Sequence, residues 1–364
     1  MQLEIHNFLP SKVIKKLIDK KEHFVIEPFL DPDWTRIWWK NIGINEYDEI
    51  KYFIFSHENE PVIIVPLVSR KVFILKVVEI AGGKVSDYLS PIFSKKYNFN
   101  KYDLIFIQNQ ILKYFNKHDL IVFRKQKNYS EKPNPFLKLS SPLLGLHQSH
   151  SLTLSEFINH KKIKKILNDN RRQLKKLKKI GKVTFLTANE FNNRMMILKN
   201  MIRQKEQRYK ETNAPNMFKD KFYKEFYYDL IKFDFNFLKI HTSAIKLNEN
   251  YLSTHIGFLD DKTYYYLMPS FDNKNFGNFS GGNILLENLI QYAQSIDSKI
   301  FDFTIGDENY KKKWTNQSTN LYEIIISNTI IGKLTKILIF IIFFLKRIKF
   351  IDKIYKYIYK LINR

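Results

Sequence analysis

The 364-residue sequence contains no cysteine. Disulfides, thiolate zinc sites and cysteine nucleophiles are thereby excluded, and the chain suits a reducing compartment. The opening stretch MQLEIHNFLPSKVIKK has no apolar signal core, so no secretion is expected. The histidines are scattered and lack a paired carboxylate at helical or hairpin intervals, so no metal is expected. Acidic residues are in short supply: 36 Asp and Glu against 60 Lys and Arg leave a net charge of +24. Lysine far outnumbers arginine, and Ile, Asn, Phe and Tyr abound, the set that a strongly biased genome favours. Part of the charge is therefore attributed to drift. A basic protein is still drawn to nucleotide cofactors, anionic lipid and nucleic acid.

What is present is apolar sequence for two cores. Residues 1–150 read as one α/β unit, with strands expected at 24–28, 51–56, 61–68 and 72–80, the last ended by Gly82-Gly83. Asp31 caps a helix that Pro32 opens and that runs through Trp38 and Trp39. A helix over 102–116 and a strand over 119–124 follow. Residues 151–182 then read as a basic linker helix. Thr153 and Glu156 make a capping box, and Phe157, Ile163, Ile166, Leu167, Leu174 and Leu177 keep helical spacing up to Gly181. Lys161, Lys162, Lys164, Lys165, Arg171, Arg172, Lys175, Lys176, Lys178 and Lys179 surround that stripe. They form either a solvated face or a phosphate-contacting surface. Like charges at helical spacing repel by roughly a few tenths of a kcal/mol per pair, and a bound anion would relieve that.

Residues 183–328 give a second unit. A strand at 183–186 leads to a helix opened by a second capping box, Thr187 with Glu190, with Phe191, Met195, Leu198 and Ile202 on its core side. After Ala214-Pro215 a helix spans 219–232. Strands at 237–247, 251–258 and 263–270 follow, joined by short polar turns. The last strand enters a loop rich in Asn and Gly that ends in Ser280-Gly281-Gly282. A helix comes next, with Leu285, Leu286, Leu289, Ala293 and Ile296 on one face. A strand at 300–305, a turn carrying Asp307, Tyr310, Lys311 and Trp314, and a strand at 322–327 complete the unit. A Gly-Gly pair alone would equally suit a mobile loop. Strand, glycine loop and helix in this order let bare amides at a helix N-terminus face a phosphate.

This order resembles the GNAT acyltransferase fold. The segment FDFTIGDENYKKKW (301–314) resembles the Asp-Phe-x-x-Gly-x-x-x-Tyr-Lys-x-x-Trp signature of FemAB-like and CelD-like proteins, an acyltransferase family linked to bacterial polysaccharide synthesis. Pro28-Phe29, the aromatic helix from Trp34 to Trp39, Pro66-Leu67-Val68, Gly82-Gly83, Asp87-Tyr88 and Arg171-Arg172-x-Leu174 before Gly181 are similar to further family pieces. Ser280-Gly281-Gly282 stands where the family has Ser-Pro-Gly. The resemblance covers residues 20–325 and implies an α/β (α+β) fold of two tandem GNAT-like domains, each a mixed, mostly antiparallel sheet flanked by helices.

It also implies acyl transfer from acyl-coenzyme A, without a metal, to an amine or hydroxyl. The donor pyrophosphate would rest on the amides of Ser280, Gly281, Gly282 and Asn283. Lys311 would hold a phosphate, and a strand amide near Met268 would stabilise the oxyanion. His255 is the first candidate base and Asp302 the second, each equally suited to a buried structural role. Asp302 alternates with Phe301 and Phe303 and so faces opposite to both. Tyr310 would protonate the leaving thiolate, while Asp87, Tyr88 and Trp314 would border the acceptor.

From residue 329 the chain changes character. Residues 337–345 form an unbroken apolar run between Lys336 and Lys346, short of the ~20 residues that cross a bilayer. Beyond it Ile351, Ile354, Tyr355, Ile358, Leu361 and Ile362 oppose Lys346, Lys349, Lys353, Lys356 and Lys360. Residues 329–364 are expected to form a basic amphipathic tail, lying on an anionic membrane or packed on protein. The expected function is an acyltransferase acting on a sugar or lipid-linked saccharide, peripheral on the cytoplasmic face of the cell membrane. One alternative is an aminoacyl-tRNA-dependent FemABX-type peptidyltransferase of peptidoglycan, whose basic helix would hold tRNA. The other is a non-catalytic membrane-bound adaptor with a degenerate fold. Nucleic acid other than tRNA is not an expected partner.

Overall fold

Strands rich in β-branched and aromatic residues must bury two faces, and here they join one continuous sheet. The computed structural model describes residues 1–159 and 161–347. The first half supplies β1 (Gln2–His6), β2 (Phe24–Val25), β3 (Glu49–His57), β4 (Glu60–Val72), β5 (Leu75–Ile80), β6 (Ile92–Ser94), β7 (Leu120–Lys127) and β8 (Leu143–Thr153). The second supplies β9 (Val183–Ala188), β10 (Lys239–Leu247), β11 (Asn250–Leu259), β12 (Thr263–Phe271), β13 (Ile300–Ile305) and β14 (Gln317–Ser327). The helices are α1 (Ser11–Asp19), α2 (Pro32–Trp38), α3 (Ile44–Glu46), α4 (Lys101–Tyr114), α5 (Lys161–Ile180) and α6 (Phe191–Thr212). After them come α7 (Lys221–Lys232), α8 (Asn273–Phe276), α9 (Gly281–Ser295), α10 (Lys311–Trp314) and α11 (Ile330–Arg347).

The strand order is β1-β3-β4-β5-β7-β14-β8-β13-β12-β11-β10-β9, with β2 and β6 attached through β4. Among the described pairs, β5 with β7 and β12 with β13 are parallel and the rest antiparallel. The two halves exchange their last strands. β8 pairs with β13 and β14, while β14 pairs with β7 and β8. An aromatic cluster ties the halves together: the Phe29 ring lies 5.3 Å from Trp34 and 5.2 Å from Phe258, edge to face. A second core under α5 and α9 holds Tyr264, Tyr266, Phe301, Phe303 and Trp314.

Several local expectations change. The strand expected at 24–28 stops at Val25, because Pro28 opens a 3₁₀ turn. The strand expected at 72–80 is the end of β4 and the whole of β5, with Phe73 turning the chain at φ 55°. Thr153 belongs to β8 rather than to a helix cap; Gln317 donates to its hydroxyl and Asn316 to Glu156. Thr187 likewise lies in β9, and α6 starts after Glu190 without a side-chain cap. Phe191 is exposed, while Ile197, Leu198, Met201 and Ile202 are buried. The apolar stripe of α5 does pack inward, with Ile163 and Leu177 fully buried. The helix expected beyond residue 347 lies outside the described residues.

Candidate active site

β12 and β13 run side by side only from Thr263 to Tyr265 and from Ile300 to Asp302. Beyond that point β12 pairs with β11 alone and β13 with β8, so the sheet forks. Pro269 lies in the arm of β12 that β13 has left, opposite His255 of β11, and an edge of this kind tolerates a missing N–H. The other arm is bent. Thr304 sits at φ 59°, a conformation that a β-branched residue adopts only under constraint, next to a register shift against β8.

Asp302, the last paired residue, is 3% exposed. Its Oδ1 accepts from the Tyr88 hydroxyl at 2.7 Å and from the Thr304 N–H at 2.7 Å. Lys127 Nζ lies 3.4 Å from its Oδ2 and 4.4 Å from the centre of the Tyr88 ring. Glu27, bonded by the Tyr129 hydroxyl, faces the same lysine. Burial lifts the Glu27 carboxyl above its usual range, with Lys127 opposing. Burial also works against the Lys127 charge, yet Asp302 and Glu27 outweigh it and hold the ammonium above its ordinary pKa. One half-buried cation is thus shared by two carboxyl groups, and its charge offsets part of the cost of burying them.

Tyr88 and its neighbour Asp87 come from the first half. Asp87 is half-buried and its side chain hydrogen-bonds Thr304; burial raises its pKa, against the pull of Lys125 and Lys311. Lys205 on α6 faces Glu308 and Lys311, and burial lowers its pKa to about 8. The structure therefore brings Asp87, Tyr88 and Asp302 to one side of the fork, with Lys205 nearby. Glu27, Lys127, Tyr129 and Lys205 escaped the sequence reading. Each is a lone polar residue in a strand, loop or helix, and only the tertiary fold gathers them.

Of the other expected site residues, Lys311 and His255 border this group through Lys205. His255 is fully buried, its ring stacked 4.8 Å from that of Tyr266 and its Nδ1 3.4 Å from the Tyr264 hydroxyl. Burial holds its pKa well below the usual imidazole range, so it is neutral. Tyr310 is half-buried, and burial followed by Glu308 pushes its phenol above the ordinary value. Lys311 is buried, donating to the Ile305 carbonyl at 2.6 Å and pairing with Glu308 at 3.1 Å. Gly306 has φ 133°, and a Cβ there would meet Lys311 Nζ at 2.8 Å, so glycine is required beneath this turn. Trp314 is fully buried, stacked on Phe157 and donating to Asn283 Oδ1 at 3.4 Å. Met268 packs in the core shared with the first half.

Of the loop expected to meet phosphate, Ser280 stays at the surface, Gly282 and Asn283 are half-buried and Gly281 is buried. Ser280 is exposed in the left-handed region at φ 53°, and no side chain caps α9. Gly281 and Gly282 open the helix, with no acidic residue in its first turn. Asn170 of α5 donates to the Asn283 carbonyl at 3.1 Å and to Glu287 at 2.7 Å, which fixes the cationic helix along the start of α9. Behind this rim Tyr266, Phe303 and Trp314 fill the depth of the fork.

Residues 164–312 match the family model described as acetyltransferase (GNAT) domain. The fold is that of a GNAT acyltransferase. No curated protein sequence matches the chain significantly. Among solved structures, that of FemX is similar with a TM-score of 0.59 and 14% identity, over 92% of this chain and 99% of FemX. A conserved protein of unknown function from Bacteroides thetaiotaomicron has a TM-score of 0.53 and 9% identity, over 81% and 89% of the two chains. L-PGS from Bacillus licheniformis has a TM-score of 0.50 and 12% identity, over 79% and 87%. In GNAT terms β12 and β13 are the diverging pair, and α9 is the helix whose N-terminus follows it.

Proposed function

We propose that this protein transfers an acyl group from acyl-coenzyme A to an amine or hydroxyl of a sugar or lipid-linked saccharide. The observation that carries the reading is the uncapped, glycine-lined start of α9 at the mouth of the fork, flanked by the basic helix α5. The amides of Gly281 and Gly282 suit a pyrophosphate, and α5 supplies positive charge beside it. The acceptor enters on the side of Asp87 and Lys205. Asp87, with its raised pKa, takes the acceptor proton. Lys205 is cationic below about pH 8, which suits the phosphate of a lipid-linked saccharide. Tyr310 stays protonated at neutral pH and serves to return a proton to the thiolate. Asp302 holds Tyr88 and the bend at Thr304 in place, so it positions Asp87 rather than reacting. His255 supports the strand from its buried stack. The resemblance of 301–314 to the CelD-like signature supports the saccharide as acceptor.

A second reading, aminoacyl transfer from tRNA, is favoured by the likeness to FemX over nearly the whole of that chain. Calorimetry with a panel of coenzyme A thioesters and with aminoacyl-tRNA separates the two. Thioester binding at micromolar level that is insensitive to added tRNA is the expected result. Salt-dependent tRNA binding without any affinity for coenzyme A would replace the first reading by the second.

A further inference from the structure

Residues 72–75 read Val-Phe-Ile-Leu across the β4–β5 turn, a place where hairpins ordinarily carry Gly, Asn or Asp. Phe73 is 93% exposed and Ile74 77% exposed. Phe73 also occupies the left-handed region, which a bulky side chain avoids. Val72 and Leu75 pack inward on the small cluster of Val77, Leu120, Val122 and Ile325. The two residues between them touch no core.

The helix α11 starts beside this hairpin. Its Ile339 packs on the same small cluster. Asp119 fastens both elements: its Oδ2 accepts the Lys76 amide at 2.8 Å, and its Oδ1 accepts from the Thr329 hydroxyl at 2.6 Å. The Thr329 Oγ1 in turn accepts from the Gly332 N–H at 3.0 Å. Gly332 lies so close to the Asp119 carbonyl that a Cβ would collide with it. The helix is therefore set in a fixed rotation, and that rotation turns Ile331, Leu334, Leu338, Ile341 and Leu345 away from the protein. Their exposures run from 37% to 64%. A helix resting on a water-soluble surface shows the opposite pattern. Lys71, Lys76, Lys333 and Lys336 flank the two apolar elements. The acidic residues beside them are Asp119, already held by Lys76 and Thr329, and Glu323, next to Ile339 on the inner side of α11. Among the described residues no helix is long and apolar enough to cross a membrane.

We propose that the β4–β5 tip and the outward face of α11 form one monotopic surface that sits in the interface of an anionic bilayer. The apolar side chains enter the boundary between headgroups and acyl chains, and the four lysines lie at the level of the lipid phosphates. Two elements clamped to one aspartate set an orientation that a lone helix could not. A second copy of this basic face would bring like charges together, whereas anionic lipid neutralises them. The surface stands independently of the acyl-transfer reading.

The test is sedimentation of the full chain with phosphatidylcholine vesicles, with and without phosphatidylglycerol. The expected result is pelleting with the anionic vesicles and release by salt. Phe73→Ser with Ile74→Ser lowers partitioning about tenfold or more, as does Leu338→Ser with Ile341→Ser. Lys71→Gln lowers it about fivefold. All are exposed positions, so thermal unfolding should match the parent and confirm that the fold is kept. Equal pelleting of the Phe73/Ile74 variant would overturn the proposal. So would loss of binding on removal of 348–364 alone, since the anchor would then lie there. A dimer in gel filtration that Leu338→Ser with Ile341→Ser dissociates, and that ignores vesicles, would make a second copy the occupant instead.

Discussion

The two halves of the molecule each contain a parallel pair that parts, β5 with β7 and β12 with β13, and they treat the opening in opposite ways. In the first half the opening is closed. Leu89 N–H donates to the Lys125 carbonyl at 3.2 Å, the Lys127 N–H donates to Ser90 Oγ at 3.0 Å, and Lys125 Nζ reaches the Ser86 carbonyl at 2.5 Å. The following helix, α4, is sealed as well. Asn100 accepts from the amides of Tyr102 and Asp103, and Asp103 accepts from the Asn100 amide, a complete capping box with a carboxylate in the first turn. An anion has nothing to bind there. In the second half the two arms no longer pair with each other beyond Tyr265 and Asp302, and α9 has neither cap nor carboxylate in its first turn. The segment that closes the first fork also carries Asp87 and Tyr88 to the second. One copy of the scaffold has become a wall for the other.

The register sharpens this contrast. Val122 holds the place in β7 that Asp302 holds in β13, the last residue of each parallel ladder. Replacing Asp302 by Ala leaves the half-buried Lys127 without its nearer partner and unpins Tyr88 and Thr304, and a loss of about 3 kcal/mol is expected in urea unfolding. A variant as stable as the parent would reduce the network to an incidental contact. Gly282→Glu gives α9 the acidic first turn that α4 has. A Cβ there would meet Phe271 at an ordinary 3.7 Å, so folding is spared. Affinity for coenzyme A should drop about tenfold in calorimetry, and unchanged affinity would break the comparison. The reciprocal change, Asn100→Ala, should cost about 1 kcal/mol of stability and leave coenzyme A binding as it was.

The smallest effect concerns pH. The Lys205 pKa, lowered to about 8 by burial, makes the lysine cationic below that value and neutral above it. If it grips an acceptor phosphate, the acceptor KM should rise about fivefold as pH passes from 7 to 9, the size of effect expected on losing a partly exposed charge pair. Lys205→Met should raise KM at pH 7 and flatten the profile, with kcat little changed. A profile that keeps its inflection in the variant would assign the titration to another group.

Much of the fold could be read from local pattern. Asp31 does cap α2, accepting from the amides of Asp33 and Trp34, because an Asp-Pro pair before an aromatic run has few other uses. The stripe on α5 and the strand and helix order from residue 239 to 305 follow from periodicity alone. Partner choice could not be read so. β14 reads as the ordinary closing strand of its own half. β8 reads as no strand, because its residues fall across the end of the first unit and the start of the linker helix, and nothing local says that each crosses to the other half. The spacing of Thr153 and Glu156 fits a cap, but the ladder with β13 claims Thr153 first. At the site, the 301–314 segment drew attention to Asp302. Its companion Lys127 ends β7 in a polar run, Arg124-Lys125-Gln126-Lys127, as any surface lysine would. Only the packing of the Asp87-Tyr88 segment against β13 turns it inward.

The exchange of β8 and β14 has a consequence for the way the chain is made. During synthesis the amino-terminal half emerges with one flank of β7 bare, and the strand that covers it is not translated until residues 317–327. Such a distant closure slows folding and leaves a long edge exposed in the meantime. Truncation before β14 should therefore yield an aggregating fragment instead of a small autonomous unit, and nascent chains of that length are the ones that most need a chaperone.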